Sequence, residues 1–264
     1  MNHLVKNIFC ATVLSLSVSL AYAGPILIIN GSVGTSEPGT TSAITNNLQT
    51  LHLAAGNTVT ISSDIPVDIT PYSQVWDIRF SNTFALTAGQ QTEYLNFLQS
   101  GGGMFLMGEN DGFMPRNTSI FDFVNMSGGG VLGPNLVGGC DGAQNVLAPF
   151  TGPNPVTSVN FACSGVVGSN GSGAWITERA NGTGGSGIAW SVGDLLNATA
   201  GALTVIFDVN FMMNTHGIDQ QNLTKNLIGY VGGQVEPPAG VPEPVTLSLV
   251  GLGLFGLGVM RRRT

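Results

Sequence analysis

Positive charge is the scarcest property of this sequence. Only eight of its 264 residues are lysine or arginine. Between residues 24 and 240 there are four, Arg79, Arg116, Arg179 and Lys225, against fourteen acidic side chains. A segment with this balance repels a polymer of phosphates and an anionic lipid surface. The sequence therefore predicts that nucleic acid is not a partner.

Histidine is equally rare, and several motifs of catalysis are missing. Only His52 and His216 occur outside the N-terminal segment, and a zinc site needs more His or Cys ligands than these. No Gly-x-Ser-x-Gly elbow is present, so a serine hydrolase of that type is excluded. Two Gly-x-Gly-x-x-Gly matches, at 128–133 and 182–187, have no strand leading through them into a helix, and 38 glycines make chance matches expected. No metal and no cofactor are predicted.

The first 23 residues have the pattern of an export signal. Lys6 is basic, an apolar stretch runs from Ile8 to Leu20, and Ala21-Tyr22-Ala23 is a small-x-small cleavage site. The mature chain is predicted to begin near Gly24. The apolar stretch is too short for a stable membrane span.

The last 24 residues contain three parts in a fixed order. Val241-Pro242-Glu243-Pro244 comes first, an apolar run from Val245 to Met260 follows, and the basic cluster Arg261, Arg262 and Arg263 comes next. A helix of 16 residues reaches roughly 24 Å at about 1.5 Å per residue, a little less than a bilayer core. Flanking arginines can snorkel to close that gap. The sequence predicts a transmembrane helix over 245–260 with a cytoplasmic C-terminus.

This order of motif, span and basic end resembles the PEP-CTERM sorting signal of Gram-negative bacteria. The resemblance implies that an exosortase, a membrane-embedded cysteine protease-transpeptidase, reads Pro242-Glu243-Pro244. It also implies an inner-membrane precursor that faces the periplasm, a destination at the cell surface or in the extracellular matrix, and a link to exopolysaccharide or biofilm. The alternative is an ordinary C-terminal anchor, although such an anchor needs no Pro-x-Pro ahead of its span. Attachment or release after processing stays open.

Cys140 and Cys163 are the two cysteines outside the export signal, with 22 residues between them. In an oxidising periplasm an even pair favours a disulfide. Closing a loop of this size would stabilise the fold by roughly 3 kcal/mol in the chain-entropy model. The alternative is that one cysteine is a nucleophile. This is less favoured because neither follows a strand-to-helix elbow and no histidine is near in sequence.

Residues 24–235 alternate between strand and helix patterns, which predicts a parallel α/β ectodomain ahead of a linker over 236–240. Helices are predicted around the apolar stripe Ile44, Leu48, Leu51 and Ala55, behind the capping box Thr87–Gln90 with Tyr94, Leu95 and Leu98 facing inward, and around Leu223, Leu227, Ile228 and Val231. Strands are predicted at 26–29, 59–61, 75–78, 104–107 and 203–207.

Residues 113–200 break this alternation. They are rich in glycine and proline, carry the cysteine pair, and contain short β-like runs at Val156–Phe161, Ala174–Thr177 and Ile188–Trp190. We expect a β-rich insertion here, held by the disulfide.

The pattern of the ectodomain resembles the class I glutamine amidotransferase-like fold, a flavodoxin-type three-layer sandwich. The matching segments are Gln74–Arg79, Phe97–Gly103, Met104–Met107 and Leu203–Asn210. Enzymes of that family place a cysteine at the turn after the central strand and pair it with a histidine and a glutamate. Here that turn is Glu109–Gly112, and no cysteine is present. The resemblance therefore implies the scaffold without its chemistry.

The partner histidine of the amidotransferase-like family also lacks its motif. His216 is followed by Gly217-Ile218 and not by the His-x-Glu of the family. No catalytic residue is assigned on this basis, and the leading hypothesis is a structural or adhesive ectodomain.

Polar residues nevertheless collect where the predicted strands end. The possible ligands of a crevice at these ends are Asn30, Glu109, Asp111, Asp208 and Asn210. Two alternatives stay open: a hydrolase of matrix sugars using the carboxylate pair Glu109 and Asp208, and a module that binds sugar or calcium. The simpler interpretation is that these side chains cap helices and tighten turns, since no EF-hand spacing occurs.

Overall fold

The described part of the chain is a mixed α/β structure built on one sheet. The computed structural model describes residues 24–31, 38–133, 137–208 and 210–235. The predicted export signal, the predicted linker and the predicted sorting tail lie outside the described residues. In the described ranges no helix is both long and apolar enough to cross a membrane.

Five strands form the parallel part of the sheet. They are β1 (Pro25–Ile29), β2 (Thr58–Ser62), β3 (Gln74–Asp77), β4 (Gly103–Gly108) and β9 (Ala202–Phe207). Their order is β2-β1-β3-β4-β9. Strands β1, β3, β4 and β9 are buried almost throughout, as expected for strands covered on both faces, whereas β2 is an edge strand with exposed positions. All five predicted strands are confirmed.

Four helices cover the two faces of this sheet. They are α1 (Pro38–Ala54), α2 (Ala88–Gln99), α3 (Met114–Met126) and α4 (Ile218–Gln234). On one face α1 and α4 pack their buried stripes, with Ile44 and Leu223 among them, against β1 and β4. On the other face α2 and α3 do the same, with Phe97 and Phe123 among their buried residues. Burial of these stripes, rather than helix propensity, stabilises the helices.

Local signals set the bounds of α2 as the sequence predicted. The Thr87 side chain accepts a hydrogen bond from the Gln90 N–H, and the Gln90 side chain accepts one from the Thr87 N–H, which completes the capping box. The helix ends before Gly101, whose φ of 93° favours glycine. The buried face of α2 contains Phe97 in place of the predicted Leu95, which is only partly buried.

The expected insertion over 113–200 starts with a helix and then extends the main sheet. Helix α3 was not expected there. Strands β5 (Val137–Val146), β6 (Ser158–Val166), β7 (Ala174–Arg179) and β8 (Gly187–Trp190) follow. They continue the sheet beyond β9 in the order β8-β7-β5-β6, and each pair is antiparallel. The segment therefore shares the core of the α/β domain, and the three β-like runs of the sequence correspond to β6, β7 and β8.

The backbone register of β5 and β6 bears on the cysteine pair. Cys140 lies directly opposite Cys163 in this antiparallel ladder. The disulfide between them stays a prediction.

Candidate functional site

The carboxyl edge of the parallel strands brings two of the predicted crevice residues together. Gly108 and Phe207 are register partners at the ends of β4 and β9. Glu109 and Asp208, the next residues, therefore leave the sheet side by side on neighbouring strands. Asn30 follows β1, which is separated from β4 by β3. Asn30 is thus at the same edge but two strands away from Glu109.

Glu109 begins a turn that the Asn117 side chain holds with three hydrogen bonds. The Asn117 Oδ1 accepts a hydrogen bond from the Glu109 N–H at 3.0 Å. The Asn117 Nδ2 donates to the carbonyl oxygens of Glu109 and Asn110 at 2.9 and 2.8 Å. Asn117 is fully buried and Glu109 is only 4% exposed. The turn after β4 is therefore rigid, and its acidic side chain points into the protein.

Asp111 and Asn210 differ from Glu109 and Asp208 in burial. Asp111 is exposed and is the first residue of a short 3-10 helix, Asp111–Phe113, that the Asn110 side chain caps. Asn210 is half-buried and begins a similar turn, Asn210–Met212. These positions agree with the simpler interpretation, in which polar residues at strand ends cap turns.

Asp208 is an acid at this edge that holds its proton more tightly than an ordinary aspartic acid. It is fully buried and accepts a hydrogen bond from the Phe211 N–H at 3.0 Å. Burial raises the pKa of Asp208 to about 6, although backbone N–H groups act in the opposite direction. A carboxyl group with this proton affinity can exchange a proton near neutral pH, which is the property of a general acid or base.

A second cluster at the same edge escaped the sequence analysis. Asp77, the last residue of β3, receives the Arg79 Nε and Nη2 groups at 2.9 and 2.8 Å and the Tyr94 hydroxyl at 2.9 Å. The Arg116 Nη2 lies 3.2 Å from the same carboxylate. All four side chains are at most 2% exposed. Burial alone would raise the pKa of Asp77, but the Arg116 and Arg79 guanidinium groups override it and hold that pKa well below its usual range.

The other contacts of the two arginines show what this cluster does. Arg116 donates to the carbonyl oxygens of Met107 and Phe84, which ties β4 to the turn before α2. Arg79 also forms an ion pair with Asp64 at 2.6 Å, where the carboxylate is largely exposed. The cluster joins α2, α3, β3 and β4 under the carboxyl edge, so its role is to position this edge. The sequence feature that could have revealed this cluster is an acidic residue, Asp77, at the end of an apolar strand that includes Val75.

The residue types that an amidotransferase-like reaction needs do not meet at this edge in the described part of the chain. The turn after β4 offers Glu109 and Asn110, and neither is a thiol or a hydroxyl. His216 is half-buried beyond the 3-10 turn that follows β9. Among the described residues no group of three His, Cys, Asp or Glu side chains converges as a metal site would require. What the edge does provide is a pair of buried carboxyl groups on adjacent strands.

Comparisons with known proteins identify a fold class and no family. No family model matches the sequence, and no curated relative matches it. Among solved structures, a ThuA-like protein from Bacteroides uniformis is similar at a TM-score of 0.53 and 13% identity, over 77% of this chain and 89% of that one. The N-terminal domain of mmIFT52 is similar at a TM-score of 0.55 and 11% identity, over 82% of this chain and 99% of that one. Identities this low show the fold alone, a mixed α/β domain with a largely parallel central sheet.

Proposed function

We propose that this chain is an exported protein that an exosortase-type protease sorts, and that its ectodomain has a structural or adhesive role at the cell surface or in the extracellular matrix. One observation carries the proposal: Pro242-Glu243-Pro244, the apolar run over 245–260 and the arginine cluster Arg261–Arg263 occur in the order of a sorting signal. Before processing, the apolar run would hold the precursor in the inner membrane. The mature protein would then lie among exopolysaccharide chains.

The geometry of the ectodomain supports this arrangement. Gly24 precedes β1, and its N–H donates to the Asn57 side chain just ahead of β2. A Cβ atom on Gly103, the first residue of β4, would lie 3.0 Å from the Val235 side chain. Both ends of the described domain therefore lie at the amino edge of the parallel sheet. The carboxyl edge that carries Glu109 is the opposite edge.

The strand order supports a flavodoxin-type, amidotransferase-like scaffold. The order β2-β1-β3-β4-β9 is the doubly wound order of that fold, with helices on both faces. Ligands of such sheets bind outside the carboxyl ends. In this chain Asn117 fixes the turn at that position, and Glu109 is buried within it.

The decisive experiment changes the motif and leaves the span intact. Replacing Pro242, Glu243 and Pro244 together by alanine should leave an uncleaved precursor in the inner membrane, because the protease loses its recognition sequence. The matched control replaces Pro237 and Pro238, which also precede the span, and should be processed normally. Mass spectrometry of the C-terminus in cells gives the readout. Mature protein of wild-type mass from the motif variant would reject exosortase processing, and an uncut C-terminus in the wild type would indicate an ordinary anchor.

A second candidate function is supported by the neighbouring carboxyl groups. Glu109 and Asp208 occupy adjacent strand ends, and the pKa of Asp208 is raised as in a general acid. A sugar hydrolase would use one as acid and the other as base or nucleophile, with their oxygens within about 10 Å. Turnover of a matrix polysaccharide that Glu109→Gln and Asp208→Asn both abolish would establish this function. Calorimetry with calcium and with an acidic polysaccharide would instead detect a binding module.

A further inference from the structure

Strand β2, at the edge of the parallel sheet, has backbone groups that no other described strand uses. The Thr58 N–H donates to the carbonyl oxygen of Gly24, just ahead of β1. Because successive residues of a strand point their backbone groups to alternate sides, the even-numbered residues of β2 bond to β1. Val59 and Ile61 therefore direct their N–H and C=O groups away from the sheet. These groups are placed to pair with one further strand.

Strand β2 lacks the features with which proteins usually protect such an edge. Its sequence, Thr58–Ser62, contains no charge and no proline, and it pairs with β1 in one unbroken register without a bulge. The opposite edge of the sheet, β6, is different. The Gln220 side chain of α4 donates to the Asn160 carbonyl oxygen at 3.3 Å. The Ala162 N–H donates to the Asp208 carboxylate. Of the two described edges, β2 is therefore the one that suits strand addition.

The surface around β2 also differs in charge from the rest of the domain. Residues 38–63, which include α1 and β2, contain no Asp, Glu, Lys or Arg. His52 is fully buried there, and burial lowers its pKa to about 3, so it is neutral. Elsewhere the acidic side chains greatly outnumber the basic ones, so most contacts between two copies would oppose like charges. Two copies can approach each other at this uncharged edge without that repulsion.

The sequence of β2 is complementary to itself in one antiparallel register. A twofold axis at Thr60 places Val59 of each copy opposite Ile61 of the other. These are the residues whose backbone groups point outward, so each such pair can exchange both of its hydrogen bonds. Thr60 then lies opposite its own counterpart. Threonine pairs and pairs of β-branched side chains both stabilise antiparallel strands.

Exposed apolar side chains lie beside the same edge. Val59 packs against the core below α1, and Ile61 points to the same face and is 40% exposed. Helix α1 packs over β1 and β2, whereas α4 packs over β4 and β9. Asn47 lies on the flank of α1 that faces α4, since its side chain donates to Gln221. Leu53 lies on the other flank and is 54% exposed. A second copy at this edge would cover Leu53 and Ile61.

We propose that this chain forms a symmetric dimer in which the β2 strands of two copies pair antiparallel about Thr60, so that one sheet continues through both. The interface is small, and we expect a dissociation constant on the order of 10 µM. Dimerisation does not depend on how the tail is processed. The variant that lacks Pro242, Glu243 and Pro244 should dimerise like the wild type, so the two proposals can fail separately.

A charge swap at Thr60 tests this register. Sedimentation equilibrium of the full chain in detergent should show a monomer–dimer equilibrium between about 1 and about 100 µM. Thr60→Lys and Thr60→Glu should each dimerise at least about tenfold more weakly, because like charges would face each other across the axis. Thr60 is exposed, so neither change removes a core contact. An equal mixture of the two variants should restore the dimer, since lysine then lies opposite glutamate.

Thr58→Lys is the matched control. Thr58 is exposed on the same face of β2, but in this register it lies opposite Ser62 of the second copy. Its two lysines would be offset by roughly 13 Å along the strands, so this variant should dimerise like the wild type. A wild type that stays monomeric would overturn the proposal. A dimer that Thr60→Lys leaves unchanged would place the association elsewhere, and a mixture that stays monomeric would exclude this register; both results also overturn it.

Discussion

At the scale of single residues, the described fold contains an acid of a kind that is almost never fully buried unless it is paired. Asp77 is fully buried, and two guanidinium groups and a phenol surround its carboxylate. Removing one partner from a buried ion pair leaves an uncompensated charge, which is far more destabilising than losing an exposed pair. The network contains both kinds, because Asp64 is 67% exposed where it meets Arg79.

We predict that Asp77→Asn lowers the free energy of unfolding by about 3–5 kcal/mol, since Arg116 and Arg79 would lose their buried counter-charge. Asp64→Asn removes the exposed partner of the same arginine and should lower it by less than about 1 kcal/mol. Denaturant unfolding of both variants measures the difference. Equal losses would contradict the view that the network stabilises the fold through its buried part.

Asp208 provides a prediction about pH. Its pKa is 3.8 in the unfolded chain and is raised to about 6 in the folded protein. The folded state therefore holds the proton more tightly, so the stability that this group contributes is complete below the unfolded pKa and is lost as the pH rises through the folded pKa. The difference in unfolding free energy between the wild type and Asp208→Asn should move in favour of the wild type by about 1–3 kcal/mol from about pH 7.5 to about pH 4.5. A difference that does not change with pH would show that burial leaves the proton affinity of Asp208 unaltered.

At the scale of elements, the sequence predicts best where one signal dominates. The apolar runs of β1, β4 and β9 and the capping box of α2 were each sufficient to identify their element. The sequence analysis missed β5 because glycines interrupt its apolar pattern. Backbone hydrogen bonds pair this strand with β6 and β7. It missed α3 because the helix buries Arg116 and Asn117, polar residues that break an apolar stripe.

Close packing between α2 and the start of β9 gives a prediction about elements. A Cβ atom on Gly201 would lie 2.4 Å from the carbonyl oxygen of Leu98, a backbone atom that cannot rotate away. Gly201→Ala should therefore destabilise the protein by about 1–3 kcal/mol. Gly142→Ala in β5 is the control, because a Cβ atom there meets nothing within 4 Å. Thermal unfolding compares the two, and a Gly201 variant as stable as the control would contradict this contact.

At the scale of the whole molecule, the parallel sheet separates the acidic pair from the chain ends. The carboxyl edge carries Glu109 and Asp208, and the amino edge carries both ends of the described domain. Gly24 precedes β1 and Val235 lies beside the start of β4, which is two strands away in the sheet. Neighbouring strands are about 4.8 Å apart, so these ends are separated by roughly 10 Å or slightly more.

A circular permutant tests this arrangement of the chain ends. We predict that residues 24–235 still fold cooperatively when a flexible linker of about six residues joins Val235 to Gly24, because such a linker spans roughly 13 Å. The permutant would begin at Gly182 and end at Asn181, in the exposed turn between β7 and β8. A linker of one residue gives two Cα–Cα steps, reaches only about 7 Å and should prevent native folding. Circular dichroism and thermal unfolding give the readout, and an unfolded permutant with the longer linker would contradict the shared edge.

The sequence by itself determined the α/β class, most strands and helices, and the order of motifs that supports sorting, because these depend on short-range patterns of apolar, capping and basic residues. Tertiary structure alone decided how distant segments meet. It merged the expected insertion into the main sheet and brought Tyr94 and Arg116 onto the buried carboxylate of Asp77. These features arise from strand pairing and helix packing between residues far apart in the chain, and no local pattern encodes them.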